Sequence, residues 1–133
     1  MYYFAYGSNL KRKQMTERCP DSRPLYKGIL PNFKLIFSGW SRKWRGGVAS
    51  IKPSRDDKVK GAVYEISERD LRRLDEYEGY PAVYDRINVL VLTDDGDALQ
   101  AVTYIKKEQS EETKPSQDYL LAMRQGYKDW VIS

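Results

Sequence analysis

The sequence predicts an α+β protein: a small mixed β-barrel with flanking helices. Short apolar segments bounded by Gly, Pro, Asn and Asp recur along the chain, which is typical of β-strands. Two further segments, one after Ser67 and one after Ser116, carry apolar residues at helical spacing instead. A chain of 133 residues fits a single core, so we expect one domain over residues 1–133.

Six segments have the apolar content of β-strands. Pro31 and Asn32 interrupt the second of them. The last two flank Asp94-Asp95-Gly96-Asp97, a turn sequence in which glycine tolerates positive φ, so they predict a hairpin. The six segments span residues 2–6, 26–38, 48–52, 59–66, 87–93 and 99–106.

Both helices have recognisable boundaries. Ser67 and Asp70 have the spacing of N-cap and N3 residues, close to a capping box. Gly79 ends this first helix, and Pro81 prevents its continuation. The second helix begins after Ser116 and runs towards residue 131. Its apolar stripe consists of Tyr119, Met123, Tyr127 and Trp130.

Composition restricts the chemistry. The chain has no histidine and a single cysteine, Cys19, so we expect no metal site and no Ser-His-Asp or Cys-His catalysis. A proton carrier would then be a carboxylate, a lysine or a tyrosine. A lone cysteine also predicts a protein of the reducing cytoplasm. No segment has the roughly 20 apolar residues that span a bilayer, and no signal peptide is predicted, so we expect no membrane partner.

The net charge of +4 is mildly basic. Lysine and arginine are scattered along the chain, which is more typical of a solvated surface than of a nucleic-acid site, and we expect no nucleic-acid partner. The cluster Arg42, Lys43, Trp44 and Arg45 keeps a nucleic-acid-binding barrel as an alternative. Such binding would weaken as salt is added.

The first predicted helix carries a carboxylate on its buried side. Glu78 lies seven residues after Leu71 and four after Leu74, the two residues that mark the apolar face. Loss of water and the partial negative charge of a helix C-terminus both raise a carboxylate pKa. A group with a raised pKa can accept a proton and return it. Asp75 is also near this face, and a terminal glutamate that simply reaches solvent is the structural alternative.

Four segments resemble the γ-glutamylcyclotransferase family, in the order in which that family has them. Y-F-A-Y-G-S-N-L at residues 3–10 resembles its N-terminal signature, and W-R-G-G-V-A-S-I at residues 44–51 its Trp-x-Gly-Gly segment. L-D-E-Y-E-G at residues 74–79 is similar to the segment with the catalytic glutamate. P-S-Q-D-Y at residues 115–119 is similar to a segment with a substrate-contacting tyrosine. The family fold is a small mixed barrel with flanking helices.

The resemblance implies an enzyme that converts a γ-glutamyl amide into pyroglutamate (5-oxoproline) and releases an amine. Its partner would be a small-molecule γ-glutamyl substrate, and it would need no metal or other cofactor. The implied catalytic base is Glu78. The implied substrate-binding residues are Tyr3, Phe4, Ala5, Tyr6, Gly7, Ser8 and Asn9, with Tyr119 as a later contact. Further pocket candidates, for which packing or turn roles are the alternative, are Trp44, Gly46, Tyr84 and Arg86.

The stretch Gly7-Ser8-Asn9 has two interpretations, a tight turn or a cradle made of main chain. Gly7 lacks a side chain, so a ligand can approach the backbone closely. The N–H groups of the three residues could then hold the substrate α-carboxylate or a developing oxyanion. We favour the cradle.

The released amine does not follow from the sequence. E-G-Y-P-A-V-Y-D-R at residues 78–86 resembles a pattern of the γ-glutamylamine and antibiotic-biosynthesis relatives, and the glutathione-specific branch fits less well. A non-catalytic small-molecule-binding domain of the same fold is an alternative, but it would not need an acid at position 78. The oligomeric state does not follow from the sequence either.

Overall fold

The computed structural model describes residues 1–109 and 111–133. The strands are β1 (Tyr2–Ala5), β2 (Arg23–Ser41), β3 (Gly46–Glu65), β4 (Tyr84–Thr93) and β5 (Ala98–Lys106). The helices are a 3₁₀ helix (Ser8–Leu10), α1 (Arg12–Arg18), α2 (Glu68–Glu78) and α3 (Gln117–Trp130). None of the helices in the described part of the chain has the length and apolar character that crossing a bilayer requires.

The strands close into a barrel in the order β1-β3-β2-β4-β5. Neighbours pair antiparallel except at one seam, where β1 runs parallel to β5 and Tyr3 lies opposite Val102. The Thr103 hydroxyl donates to the Phe4 carbonyl oxygen at 2.8 Å and reinforces this seam. The predicted fold class, an α+β protein with a small mixed β-barrel and flanking helices, is confirmed.

Strands β2 and β3 are longer than the sequence predicted. Segments 48–52 and 59–66, apart from Ile66, belong to one strand of 20 residues, and Pro31 does not end β2. Pro31 pairs with Lys58 and Phe33 with Pro53, so residues 54–57 lie outside the ladder as a bulge. Asn32 adopts a φ of 65° opposite this bulge. The pairing continues on both sides of the bulge. The residues of the bulge do not have a strand-like sequence, so the prediction divided β3 into two strands.

Helix α2 begins and ends where the sequence predicted. The Ser67 hydroxyl accepts from the Asp70 N–H at 3.0 Å, and the Asp70 carboxylate accepts from the Ser67 N–H at 3.4 Å, which completes a capping box. Gly79 adopts a left-handed conformation with a φ of 69° and ends the helix directly after Glu78. The predicted β4–β5 hairpin also forms.

Helix α1 was not predicted. Only Met15 of its seven residues is buried and no side chain caps its N-terminus, so the segment has neither an apolar period nor a start signal. It follows the 3₁₀ helix directly, and α3 packs against that helix. Gly126 faces Leu10 closely, and Trp130 Nε1 donates to the Leu10 carbonyl oxygen at 3.0 Å. These contacts hold the segment after β1 against the end of the barrel.

Candidate active site

A cavity of about 340 Å³ lies at one end of the barrel. The C-terminal ends of β1, β2 and β5 meet the N-terminal ends of β3 and β4 there. Segments far apart in sequence share its wall: Tyr6 follows β1, Trp44 precedes β3, Glu78 ends α2 and Tyr119 lies in α3. A concave site of this size is suited to a small molecule.

Glu78 contributes a carboxylate to this cavity. It is the last residue of α2, half-buried, and fixed there by the helix end at Gly79. Burial raises its pKa to about 7, against the opposing effect of the Arg18 charge. None of the ion pairs in the described part of the chain includes Glu78. Both protonation states are therefore accessible near neutral pH, as a group that accepts and returns a proton requires.

Asp75 is the other carboxylate near the apolar face of α2, and both of its carboxylate oxygens accept hydrogen bonds from other side chains. Its Oδ1 accepts from the Tyr104 hydroxyl at 2.6 Å, and its Oδ2 accepts from Arg86 Nη1 at 3.1 Å. The Arg86 guanidinium also stacks on the Tyr80 ring, 4.2 Å from its centroid. Asp75 does not line the cavity. The structure therefore separates two carboxylates that the helix pattern left equivalent.

Five buried tyrosines line the cavity together with Glu78. The Tyr6 hydroxyl donates to the Tyr104 carbonyl oxygen at 2.6 Å, and the Tyr84 hydroxyl donates to the Ala49 carbonyl oxygen at 3.0 Å. Burial raises the pKa of Tyr119 to about 12 and lifts that of each other ring tyrosine well above its ordinary value, with the Glu78 charge adding to every rise. These phenols are therefore neutral donors and acceptors at pH 7. The ring consists of Tyr3, Tyr6, Tyr84, Tyr104 and Tyr119.

The segment between β1 and α1 forms one wall of the cavity. Gly7 precedes the 3₁₀ helix, whose first N–H groups, those of Ser8 and Asn9, have no acceptor within the helix itself. The φ of Gly7 is −114°, a value open to other residues, so the missing side chain is what matters. A Cβ on Gly7 would lie 2.6 Å from the Tyr119 hydroxyl oxygen and 3.2 Å from the Ala49 Cβ.

The Asn9 side chain holds this wall in place. Its Oδ1 accepts from Arg18 Nη1 at 3.0 Å and from Gln14 Nε2 at 3.2 Å, and its Nδ2 donates to the Tyr3 hydroxyl at 3.1 Å. Gln14 Nε2 also donates to the Ser8 hydroxyl at 2.8 Å. The Asn9 carbonyl oxygen accepts from the Tyr64 hydroxyl at 2.9 Å. Asn9 therefore positions the segment through its side chain and its backbone.

Nine of the predicted site residues line the cavity: Tyr3, Tyr6, Gly7, Ser8, Asn9, Trp44, Glu78, Tyr84 and Tyr119. Phe4, Ala5, Gly46 and Arg86 do not. Phe4 and Ala5 are strand residues whose side chains are fully buried in the core. Gly46 packs on the backbone before α3, where a Cβ would lie 2.7 Å from the Ser116 nitrogen. Arg86 is directed instead to Asp75.

Several cavity residues were not predicted, among them Arg18, Trp40, Lys43, Tyr77 and Lys106. Arg18 carried no usable signal, because it lies in the helix that the sequence did not predict. Trp40 did carry a sequence signal, because it is a large aromatic residue in the polar stretch S-G-W-S-R-K-W-R. In the structure it is 71% exposed. Among the residues described, no three His, Cys, Asp or Glu side chains are grouped so as to hold a metal ion.

Comparison with known proteins assigns this chain to a family. Residues 3–123 match the model of the gamma-glutamyl cyclotransferase, AIG2-like family. Gamma-glutamylcyclotransferase of Homo sapiens is 34% identical over 132 residues, covering 96% of this chain and 70% of that protein. Its Mus musculus counterpart is 33% identical over 132 residues, again covering 96% of this chain and 70% of that protein. A solved structure named gamma-glutamyl cyclotransferase superposes with a TM-score of 0.92 at 33% identity, covering 97% of this chain and 79% of that one.

A more distant likeness concerns the fold alone. The crystal structure of an AIG2-like protein from Mus musculus superposes with a TM-score of 0.66 at 24% identity, covering 90% of this chain and 81% of that one. The chain therefore belongs to the gamma-glutamyl cyclotransferase, AIG2-like family and is an enzyme of the γ-glutamylcyclotransferase type.

Proposed function

We propose that this enzyme converts a γ-glutamyl amide into 5-oxoproline, with Glu78 as the group that accepts and returns the proton. One observation carries the proposal: Glu78 is a cavity carboxylate without an ion-pair partner among the described residues, and burial raises its pKa to about 7. The substrate brings its own nucleophile, the α-amine, which is protonated at neutral pH. A base with a pKa near the working pH is suited to removing that proton.

The proposed reaction proceeds through one tetrahedral intermediate. Glu78 takes a proton from the α-ammonium, and the amine nitrogen attacks the γ-carbonyl carbon to close a five-membered ring. The carbonyl oxygen becomes an oxyanion. The protonated Glu78 then gives its proton to the amide nitrogen, and the ionised carboxylate takes the second proton from the ring nitrogen. The carbon–nitrogen bond breaks, 5-oxoproline forms, and the departing amine takes this second proton from Glu78 and leaves as an ammonium ion. The two protons lost by the α-ammonium are therefore the two gained by the leaving nitrogen, and Glu78 ends as it began, ionised.

We assign the wall around Gly7 to binding and orienting the γ-glutamyl group. The N–H groups of Gly7, Ser8 and Asn9 are the proposed donors for the α-carboxylate or the oxyanion, with the Tyr119 hydroxyl beside them. Holding the flexible chain in a reactive conformer can remove on the order of 7–11 kcal/mol of the barrier. A preorganised donor to the oxyanion can add roughly 3 kcal/mol.

The partner proposed is a small γ-glutamyl molecule, with no nucleic acid or membrane component. The basic cluster at residues 42–45 is better explained by the cavity than by a polymer, because Lys43 and Trp44 both line it. Residence in the cytoplasm is part of the proposal, and the single, buried and unpaired thiol of Cys19 supports it.

The test is incubation with a panel of γ-glutamyl amino acids, γ-glutamyl amines and glutathione, with 5-oxoproline measured by mass spectrometry. We expect release from at least one class, at a rate that is lower by roughly 10²–10⁴-fold in the Glu78→Gln protein. A purely binding domain would instead bind a panel member while the wild type released no 5-oxoproline. That outcome would overturn the enzymatic proposal.

A further inference from the structure

Lys106 is a cation in the cavity wall, and none of the described acidic residues pairs with it. It ends β5 and is half-buried, and its Nζ donates to the Ser38 carbonyl oxygen at 3.2 Å. An ammonium has three donors, so two are left after this bond. Within residues 1–109 and 111–133, no carboxylate oxygen lies within 4.0 Å of Lys106 Nζ. A partly desolvated charge is costly unless paired, and a ligand anion would supply the missing partner.

The other two cations of the cavity are arranged differently. The Arg18 guanidinium donates to Asn9 and lies over the Tyr77 ring, 4.5 Å from its centroid. Lys43 is exposed to solvent, and its Nζ lies 5.2 Å from the centroid of the Trp44 ring. Lys106 is therefore the cation whose surroundings most require an anion.

Lys106 lies beside the cavity mouth. Its Nζ packs against Gly39, where a Cβ would collide with it, and the next residue is Trp40. Trp40, Tyr77 and Val83 line the cavity yet are 71%, 56% and 48% exposed, so they form an apolar rim at its opening. A rim of exposed apolar side chains around a polar cavity is a place for an apolar part of a ligand.

The proposed reaction and binding mode determine which part of the substrate reaches this mouth. The α-amine and the scissile amide nitrogen must both approach Glu78, and the α-carboxylate is assigned to the wall at Gly7. The remainder of the leaving group then extends towards the rim. This inference rests on the proposed function. We propose that Lys106 binds a carboxylate of the leaving group and that Trp40 packs against the side chain of the leaving group. The preferred released amine is thus an α-amino acid with a large apolar side chain.

The test of Lys106 compares γ-glutamylphenylalanine with γ-glutamylphenethylamine, which differ only in the leaving-group carboxylate. A hydrogen bond to a charged group is worth on the order of tenfold to hundredfold in affinity, so we expect the wild type to prefer the carboxylate in kcat/KM by about tenfold or more. Lys106→Met should reduce the preference to about onefold, and Lys106→Arg should restore most of it. Lys107→Met, an exposed neighbour outside the cavity, is the matched control and should leave it unchanged.

The same pair of ligands is titrated into Glu78→Gln protein by calorimetry, with and without Lys106→Met. This measurement does not depend on turnover, so it separates the two proposals. A carboxylate preference in affinity without any 5-oxoproline from the wild type would overturn the enzymatic proposal and support the Lys106 site. Turnover of both ligands at equal kcat/KM, or a preference that survives Lys106→Met, would overturn the Lys106 site alone.

The rim is tested with γ-glutamylphenylalanine and γ-glutamylglycine. We expect the wild type to favour the phenylalanine compound by several-fold and Trp40→Ala to lose that margin. Leu90→Ala is the control, because Leu90 is similarly exposed but does not line the cavity. Equal kcat/KM values for the two substrates in the wild type, or a margin unchanged in Trp40→Ala, would overturn the role of Trp40.

Discussion

The hydroxyl of Tyr119 accepts a hydrogen bond from the backbone N–H of Ala49 at 3.1 Å and so joins α3 to β3. The same oxygen would lie 2.6 Å from a Cβ on Gly7. Three segments that are distant in sequence therefore meet at one point of the cavity wall. No room is left there for an added methyl group.

We expect Gly7→Ala to impair substrate binding more than Ser8→Ala does. The added methyl must displace the Tyr119 hydroxyl, and such overpacking costs about 1–3 kcal/mol. Ser8→Ala keeps the N–H and loses one hydroxyl contact, a loss of about 1 kcal/mol. The measurement is the Kd of a non-hydrolysable γ-glutamyl analogue, below the melting temperature of each variant.

A double variant shows whether the collision is the cause. Tyr119→Phe removes the obstructing oxygen, so adding it to Gly7→Ala should cost less than Tyr119→Phe costs alone. If Gly7→Ala melts early yet binds the analogue with unchanged affinity, Gly7 belongs to a simple turn and the cradle interpretation is wrong.

Glu78→Gln should leave the fold intact and lower kcat by roughly 10²–10⁴-fold, because the amide keeps the shape but cannot take a proton. Asp75→Asn is the matched control on the same helix. It weakens the contacts with Tyr104 and Arg86, so we expect a loss of about 1–3 kcal/mol in the free energy of unfolding with most turnover retained. Normal turnover by Glu78→Gln together with an inactive, folded Asp75→Asn would show that the base was assigned to the wrong residue.

The pH dependence of kcat/KM should follow the Glu78 carboxylate. A base must be unprotonated, so kcat/KM should fall about tenfold per pH unit below the pKa of about 7 and level off above it. The Arg18 charge lowers this pKa, so Arg18→Met should move the acidic limb to higher pH and Arg18→Lys should move it less. A limb that stays at the same pH in Arg18→Met would contradict the charge coupling.

The same pKa shift predicts how stability depends on pH. Burial raises the Glu78 pKa from 4.5 to about 7, so between these values the folded state binds more protons than the unfolded state. Stability contributed by the protonated form is then present below pH 4.5 and lost as the pH rises through 7. Glu78→Gln cannot ionise, so its free energy of unfolding relative to the wild type should be higher at pH 8 than at pH 5. Urea unfolding at both pH values measures this difference, and an equal difference at both would contradict it.

Turnover should survive removal of metal ions. The prediction rests on the sequence, which has no histidine and one cysteine, and on a mechanism in which a carboxylate moves the proton. We expect unchanged kcat after dialysis against EDTA and transfer to chelator-treated buffer. Loss of activity that returns on adding a divalent ion would overturn the carboxylate mechanism.

Much of the fold followed from local signals. The side chains of Ser67 and Asp70 cap N–H groups within the same turn, and Gly79 ends the helix by its own conformation. The bounds of α2 could therefore be predicted from the sequence around them. Helix α1 could not, because it is held by contacts such as the Arg18–Asn9 hydrogen bond rather than by an apolar stripe or a cap. The bulge opposite Asn32 likewise depends on pairing between two strands, which no single segment reveals.

The candidate site also has a part that the sequence predicted and a part that only the structure shows. Glu78 was indicated by its position on an apolar helix face, but its separation from Asp75 required Tyr104 and Arg86, which come from β5 and β4. Lys106 looks like an ordinary charged residue at a strand end. The role proposed for it could be inferred only from the structure, in which β5 brings it to the cavity wall beside Gly39 and Trp40.

The seam between β1 and β5 also determines when the site can exist during synthesis. The Thr103 hydroxyl donates to the Phe4 carbonyl oxygen, 99 residues away in the sequence. One edge of β1 therefore stays unpaired until β5 has left the ribosome. Tyr119 and its helix emerge later still. A nascent chain stalled before β5 would carry an exposed strand edge at its N-terminus and no enclosed cavity. A chain without β5 and α3 lacks Tyr104, Lys106 and Tyr119 of the cavity wall, and we expect translational arrest before β5 to favour capture by chaperones that bind extended segments.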